Sequence, residues 1–393
     1  MNASRYDLLL GWCLCLLGKC VAMIPTSVCT YRLVKPSGQI VTTSVTSVVL
    51  PLHLSEYTVA ARNTINQAIV RVAESYAPDH LILGANNKSA KINNYGHDLL
   101  PTNTTYSHGN TNSAQWTAGS VLHIWQLLES TYGRNPTVVV TGASSSIGQV
   151  LVTLFLNKGC TVDFVTSSRD RFDAFLSSTT ADTSRLRFCD LSVLSSALTT
   201  CDMWCVGVIP IEEECSSCGP EATLLNFTAV ALQAKGMRVL DIGTMRLSPD
   251  GVFSHNGQHS HGLNDGEFHS CMIGGILRAL DDVQDHEDIV VTDDILESIQ
   301  IRIPYLGSLG FLPPIPSRPF ICNGMGDTII DHVHMAGNWY PQDTLYIEVL
   351  SQDNDLLILE YPSDRDEFEE LMGVSTVLDW DVNGDTVNMR VCL

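Results

Sequence analysis

The sequence predicts an α/β fold built on a doubly wound parallel sheet, and three observations predict it. Apolar, β-branched runs alternate with stretches of helical periodicity through residues 136–242, the pattern of right-handed strand–helix–strand crossovers. A glycine-marked loop, Thr141-Gly142-Ala143-Ser144-Ser145-Ser146-Ile147-Gly148, follows the first of these runs and opens a helix. The chain is also large and apolar enough to bury such a core, with 393 residues, 45% of them hydrophobic and only 17% charged.

Residues 1–50 form a hydrophobic N-terminal segment, in which Leu8 to Ile24 is apolar apart from Lys19. That run is shorter than the ~20 residues of a spanning helix. It reads as the remnant of a membrane domain, a poor signal peptide or a membrane-surface helix. Gln39–Leu50 is β-rich and ends at Pro51. From Thr58 to Tyr76, Val59, Ile65, Ile69, Val72 and Ala73 recur at helical spacing; Pro78 closes the helix, and His80–Gly84 reads as a short buried strand. This pair makes one α/β segment ahead of the main sheet. Residues 85–118, rich in Asn, Thr, Gly and Ser, are expected to be mostly loop, with a helix over Gly119–Tyr132.

The main sheet begins with Pro136–Thr141, a run suited to a strand buried on both faces. A helix is expected over Ile147–Gly159, and further strands over Thr161–Thr166, Arg187–Leu191, Met203–Ile209 and Met237–Ile242, with a helix over Thr223–Lys235. Together, residues 51–312 read as one Rossmann-like domain of reductase type. Pro313–Pro319 is a stiff linker. Beyond it, residues 320–393 form a small acidic α+β appendage, with strands at Thr344–Leu350 and Asp355–Tyr361.

The net charge of −21 leaves no electrostatic footprint for nucleic acid. Over half of the excess lies in residues 313–393, where fifteen Asp and Glu face three Arg, and a solvated acidic face accounts for it. Thirteen cysteines, an odd number, are not spaced as a disulfide framework. Cys160, Cys189, Cys201 and Cys205 fall in or beside apolar runs, where a free thiol acts as a small hydrophobe, and a reducing compartment follows. Cys215 and Cys218 make a single C-x-x-C with no second pair at zinc spacing. His255, His259 and His261 have metal-like spacing but lie in a Gly/Asn loop without a second cluster, so no metal is assigned.

In the glycine loop, Gly142 permits the sharp turn, and Gly148 lets the helix pack closely on its strand. The helix N-terminus offers free N–H groups and a positive dipole end to a pyrophosphate. Ser146 stands where reductases of this kind carry a middle glycine; it either crowds the phosphates or binds them through its hydroxyl. The second strand ends Thr166-Ser167-Ser168-Arg169, with no acid for a ribose 2′-hydroxyl. Ser167, Ser168 and Arg169 suit a 2′-phosphate, which favours NADP(H) over NAD. Asp190, after the third strand, either approaches the adenine or caps a helix. A short-chain dehydrogenase would need Tyr-x-x-x-Lys downstream of the loop; that spacing occurs only at Tyr31–Lys35, upstream of it.

Four stretches, in this order, resemble the C-terminal half of the plant eceriferum-type wax and alkane synthesis proteins, the very-long-chain aldehyde decarbonylase family. They are Ile65-Asn-Gln-Ala-Ile-Val leading to Leu81-Ile-Leu-Gly84; Asn86-Asn-Lys-Ser-Ala-Lys-Ile-Asn-Asn-Tyr-Gly96; the glycine loop; and Cys271-Met-Ile-Gly-Gly-Ile-Leu-Arg-Ala-Leu280 followed by His286-Glu287. The same half is similar to cyanobacterial acyl-carrier-protein reductases, which make an aldehyde from a fatty-acyl thioester through a cysteine at the start of a helix. Cys271 takes that position here.

The resemblance implies an NADPH-dependent reductase of a long-chain acyl thioester or aldehyde, with Cys271 as nucleophile, assisted by His269 or His286. The alternative it implies is a silent nucleotide-binding scaffold. Family members carry a membrane domain with histidine motifs for a di-iron centre. The resemblance therefore also implies a membrane-bound di-iron partner, and a location on the cytoplasmic side of the endoplasmic reticulum membrane or in the cytoplasm.

Overall fold

In chain order, the computed structural model begins with β1 (Thr26–Val34), β2 (Ile40–Val49), α1 (Arg62–Tyr76), β3 (His80–Ile82), β4 (Thr105–Ser107) and α2 (Asn110–Tyr132). Next come β5 (Thr137–Thr141), α3 (Ser146–Asn157), β6 (Thr161–Val165), α4 (Arg169–Ser178), β7 (Leu186–Cys189), α5 (Leu194–Thr199), β8 (Met203–Val206) and α6 (Glu212–Ser217). Then follow β9 (Thr223–Asn226), β10 (Arg238–Leu240), β11 (Thr244–Leu247), β12 (Phe253–Asn256), β13 (Glu267–His269), α7 (Ser270–Leu280), α8 (Thr292–Ser308) and β14 (Phe311–Leu312). The structure describes residues 58–99, 104–132, 135–219 and most of 222–312, and outside these the backbone of a few strands. Leu8–Ile24, Pro313–Pro319, His259 and His261 lie outside the described residues. Among the described residues, no helix is long and apolar enough to cross a membrane.

The chain divides into two compact units, Met1–Ser113 with Gly251–Val290, and Ala114–Asp250 with Val291–Leu393. The second holds a six-stranded sheet in the order β10-β9-β8-β5-β6-β7, every neighbouring pair parallel. Counted from β5, the order is 6-5-4-1-2-3, the doubly wound arrangement that reverses between its first and fourth strands. β-branched and apolar side chains fill both faces: Val138, Val139, Val140, Val162, Phe164, Met203, Trp204, Val206, Leu224 and Leu225 are all buried. α3 is apolar nearly all round and is buried from Val150 to Leu156, as a helix inside a core must be. The one acid in these runs, Asp163 on β6, is buried and met by Arg187 directly across on β7, at 2.7 and 2.6 Å.

Thr223–Lys235 was expected to be a helix; instead its first four residues are strand β9, buried throughout between β8 and β10. A short apolar run has no period that separates strand from helix, and here it pairs in parallel with β8 on one side and β10 on the other. The appendage contains two antiparallel hairpins, β15 (Tyr346–Leu350) with β16 (Leu356–Glu360), and β17 (Thr376–Asn383) with β18 (Thr386–Cys392). The first hairpin coincides with the two strands expected there.

In the first unit, β3 and β4 pair in parallel, His80 opposite Thr105. α1 buries Ile65, Ala68, Ile69, Val72 and Ala73 in a cluster with Leu83, Ile92, Leu99 and Tyr106. It ends at Ala77, whose φ of +42° is followed by Pro78. β1 pairs antiparallel with both β2 and β12.

Residues 85–118 are not mostly loop. They hold short helical turns, β4 and the first turns of α2, which starts at Asn110 rather than Gly119. Asn112, Ser113 and Thr117 are polar yet buried, so the composition that suggests a loop is here the composition of a hydrogen-bonded interior.

Candidate functional site

β5 is flanked on both sides by parallel strands, so its carboxyl end, where the glycine loop begins, lies where the strand order reverses. Gly142 has φ +70°, and a Cβ there would come within 3.0 Å of the Gly207 backbone that follows β8. A Cβ on Gly148 would lie 2.4 Å from the Gly142 carbonyl oxygen. Neither position accepts a side chain without moving the loop. Thr141 fixes the neighbouring strand end: its carbonyl accepts the Gly207 N–H at 3.0 Å, and its hydroxyl accepts the Trp204 indole N–H at 3.3 Å.

Ser145 is the N-cap of α3, its Oγ accepting the Gly148 N–H at 3.1 Å. Ser146 and Ile147 are the first residues of the helix, where N–H groups precede any intrahelical acceptor. The loop backbone, Ala143 and Ser144 included, thus forms a tight cradle leading to a helix N-terminus, the requirement for a pyrophosphate.

At the β6 tip, Thr166 is buried and Ser167 exposed, and Ser168 is the N-cap of α4, accepting the Arg171 N–H at 3.4 Å. Arg169 is exposed, pairs with Asp173 at 3.0 Å and lies over the rings of Phe172 and Phe188, about 5 Å from each. Exposed contacts of these kinds hold a side chain weakly, so the guanidinium is placed at the tip but free to turn to a stronger partner. Asp190 caps the turn 191–193 by accepting the Ser192 N–H at 3.0 Å, and that bond keeps its carboxyl below the usual range. Of its two expected roles, the cap is formed.

Cys271 is the second residue of α7, half-buried, and His269 is that helix's N-cap. The helix start is pinned to the turn entering α2. Asn112 Nδ2 donates to the Ser270 carbonyl at 2.8 Å, the Ser270 and Ser113 hydroxyls meet at 3.0 Å, and a Cβ on Gly109 would strike the Cys271 carbonyl at 1.9 Å. Gly274 and Gly275 bring the helix against Asn112 and Ile82 with no room for a methyl group. Among the described residues the Cys271 thiol makes no hydrogen bond, so neither His269 nor His286 is bonded to it.

The His286-Glu287 pair is engaged elsewhere. His286 Nδ1 accepts the Tyr106 N–H at 3.1 Å. The buried Glu287 carboxylate accepts the N–H groups of His108 at 2.9 Å, Gly109 at 2.6 Å and Thr111 at 3.0 Å. Burial opposes its charge, but the amide donors hold its carboxyl below the usual range. His108, also buried, accepts the Asn110 N–H at Nδ1 and faces the Asp288 carbonyl with Nε2, both at 3.0 Å. The proton therefore sits on Nε2, and the 3.3 Å approach of Glu287 to Nδ1 is a packing contact rather than an ion pair. Burial pushes the His108 pKa down.

Within the sheet unit the fold brings together the glycine loop and the switch-point neighbours Gly207 and Trp204; within the other it gathers Cys271, His108, Gly109 and Glu287. Sequence reasoning missed Gly207, His108 and Gly109. A glycine directly after a buried strand, and His-Gly-Asn directly before a helix, were the available signals.

The strand order and its loop give the sheet unit a doubly wound, Rossmann-like fold. No protein-family model and no curated protein matches the sequence. Among solved structures the chain is similar to a dipicolinate synthase component from Bacillus halodurans, 11% identical over 33% of this chain and 52% of that one, with a TM-score of 0.24. It is also similar to an NADPH-dependent glyoxylate/hydroxypyruvate reductase from Sinorhizobium meliloti, in complex with NADP and sulfate, 12% identical over 33% and 48%, TM-score 0.23. An L-alanine dehydrogenase is 9% identical over 63% and 82%, TM-score 0.27. The chain thus spans about half the length of the first two. At these values neither substrate nor reaction transfers.

Proposed function

We propose that this chain is an NADP(H)-dependent reductase of fatty acyl thioesters or fatty aldehydes. The observation that carries the cofactor half is the Gly142–Gly148 cradle at the switch point, with Ser167, Ser168 and Arg169 at the tip of the next strand. The loop backbone and the α3 N-terminus would hold the pyrophosphate, and Arg169 the 2′-phosphate. The bound nucleotide would supply hydride. The substrate half rests on the resemblance to wax and alkane synthesis proteins. In it, the Cys271 thiolate attacks the thioester carbonyl and expels the carrier thiol; once the acyl carbon has been reduced, the thiolate leaves and aldehyde is released.

The unbonded Cys271 thiol and the engaged His-Glu pair favour a second reading, a nucleotide-binding scaffold beside a membrane-bound di-iron partner. Incubating the full chain with NADPH and a long-chain acyl-CoA, with mass spectrometry for aldehyde, separates the two. Aldehyde from wild type but not from Cys271→Ser supports the reductase. Equal aldehyde from both removes covalent catalysis at Cys271, and NADPH binding with no turnover leaves the scaffold.

A further inference from the structure

The sheet unit holds a pair of thiols that the nucleotide site does not use. Cys201, between α5 and β8, is buried, while Cys218, at the end of α6, is only partly so; their sulfurs lie 3.9 Å apart across 17 residues of sequence. A disulfide needs about 2 Å between sulfurs, so closure asks the two sulfurs to approach by about another 2 Å. Both helix ends are anchored: the Cys201 sulfur also lies 3.3 Å from the Leu198 carbonyl, and the Cys218 N–H donates to the Cys215 carbonyl at 3.2 Å. Strand pairing fixes the segment between them, with the Thr223 N–H on the Asp202 carbonyl at 3.0 Å.

We propose that Cys201 and Cys218 form a reversible disulfide with low-molecular-weight disulfides such as oxidised glutathione. The Cys218 thiolate, the accessible member, attacks one glutathione sulfur and expels glutathione thiolate, which leaves a mixed disulfide. Cys201 then gives up its proton and attacks the Cys218 sulfur. The second glutathione leaves as a thiol, so the two protein thiols are oxidised and one glutathione disulfide is reduced. The order follows from the environment: the sulfur–sulfur contact lowers the Cys218 pKa and, with burial, raises that of Cys201, so the thiolate forms first on the more accessible Cys218. In a reducing compartment such a bond is transient and regulatory. It staples the end of α5 to the end of α6 and encloses β8, Gly207 and α6.

The full chain, reduced and then treated with oxidised glutathione, is mapped by non-reducing peptide mass spectrometry. The expected product is a Cys201–Cys218 linked peptide, lighter by two hydrogens and reversed by dithiothreitol. Its melting temperature should rise by on the order of 5 °C, as closing a loop of this length predicts. In Cys201→Ser, glutathione should remain on Cys218 as a stable adduct. A Cys215–Cys218 link in the wild type, or glutathione left on Cys218 in the wild type, overturns the proposal. The wild-type map decides alone should the variant fail to fold.

Discussion

The six-stranded sheet and the β3–β4 unit are built from opposite materials. The sheet is filled with Val, Leu, Phe and Trp, and its one buried strand acid is answered by a single arginine. The β3–β4 unit has an apolar layer under α1, yet what joins α7, α2 and the 284–288 segment is polar: Glu287 in a ring of amides, His108 bonded through both nitrogens, Asn112 on Ser270. Apolar packing is forgiving because it has no direction. A hydrogen-bonded interior is not, because each unmade bond leaves a buried dipole without water. The two units should therefore respond differently to changes of equal size.

Truncating Glu287 gives the largest expected effect. Glu287→Ala empties the amide ring and should cost about 3–5 kcal/mol, whereas Met203→Leu, in the sheet core, should cost under about 1.5. Denaturant melts of the two variants measure this, and equal costs would break the comparison.

The next effect is on binding. Arg169→Ala should weaken NADPH by about 1.5–3 kcal/mol, roughly 10- to 150-fold, and leave NADH nearly unchanged. Titration of both cofactors tests it, and equal losses would show that Arg169 does not read the 2′-phosphate.

Gly275→Ala comes third. Its Cβ would sit 2.4 Å from Ile82 Cγ1, so overpacking should cost about 1–3 kcal/mol, and Ile82→Ala should recover part of that in the double variant. Additive losses would mean that the helix moves rather than clashes.

The smallest effect is acid sensitivity confined to the polar unit. The His108 pKa is lowered on folding, so below its ordinary value of about 6.5 the unfolded chain binds more protons, and stability falls with pH. Glu287, also lowered, adds to the loss once pH passes below the carboxylate range. Hydrogen-exchange protection of the Gly109 and Thr111 amides should fall between pH 7 and 5 while that of Val139 and Phe164 holds.

The same contrast governs what the sequence discloses. Five of the six sheet strands, the glycine loop and the helix after it are legible because hydrophobic runs and glycines record burial and turns directly. β9 is lost because four residues carry no period. The start of α2 is lost because buried Asn, Ser and Thr look like a loop until their partners are known, and those partners lie far away in sequence: Asn112 meets Ser270 158 positions on. The candidate site divides likewise. Gly142 and Gly148 announce themselves, whereas the engagement of His286 and Glu287 with residues 106–111 has no local signature.

Glu287 accepts from an amide 179 residues earlier in the chain. The β3–β4 unit is interrupted by the entire sheet, so its first segment is synthesised, and the sheet's core strands after it, before the carboxylate exists. Until residue 287 leaves the ribosome, the amides of His108, Gly109 and Thr111 have only water to bond. The order of synthesis then makes the sheet the earlier folding unit and the β3–β4 unit the later one, completed by a contact whose loop-closure cost falls only when residues 104–113 and 284–288 are already held near each other. A ribosome-stalling series in which the emerged part of the chain ends just before and just after Glu287 should find protease protection of residues 104–113 switching on as that residue clears the exit tunnel.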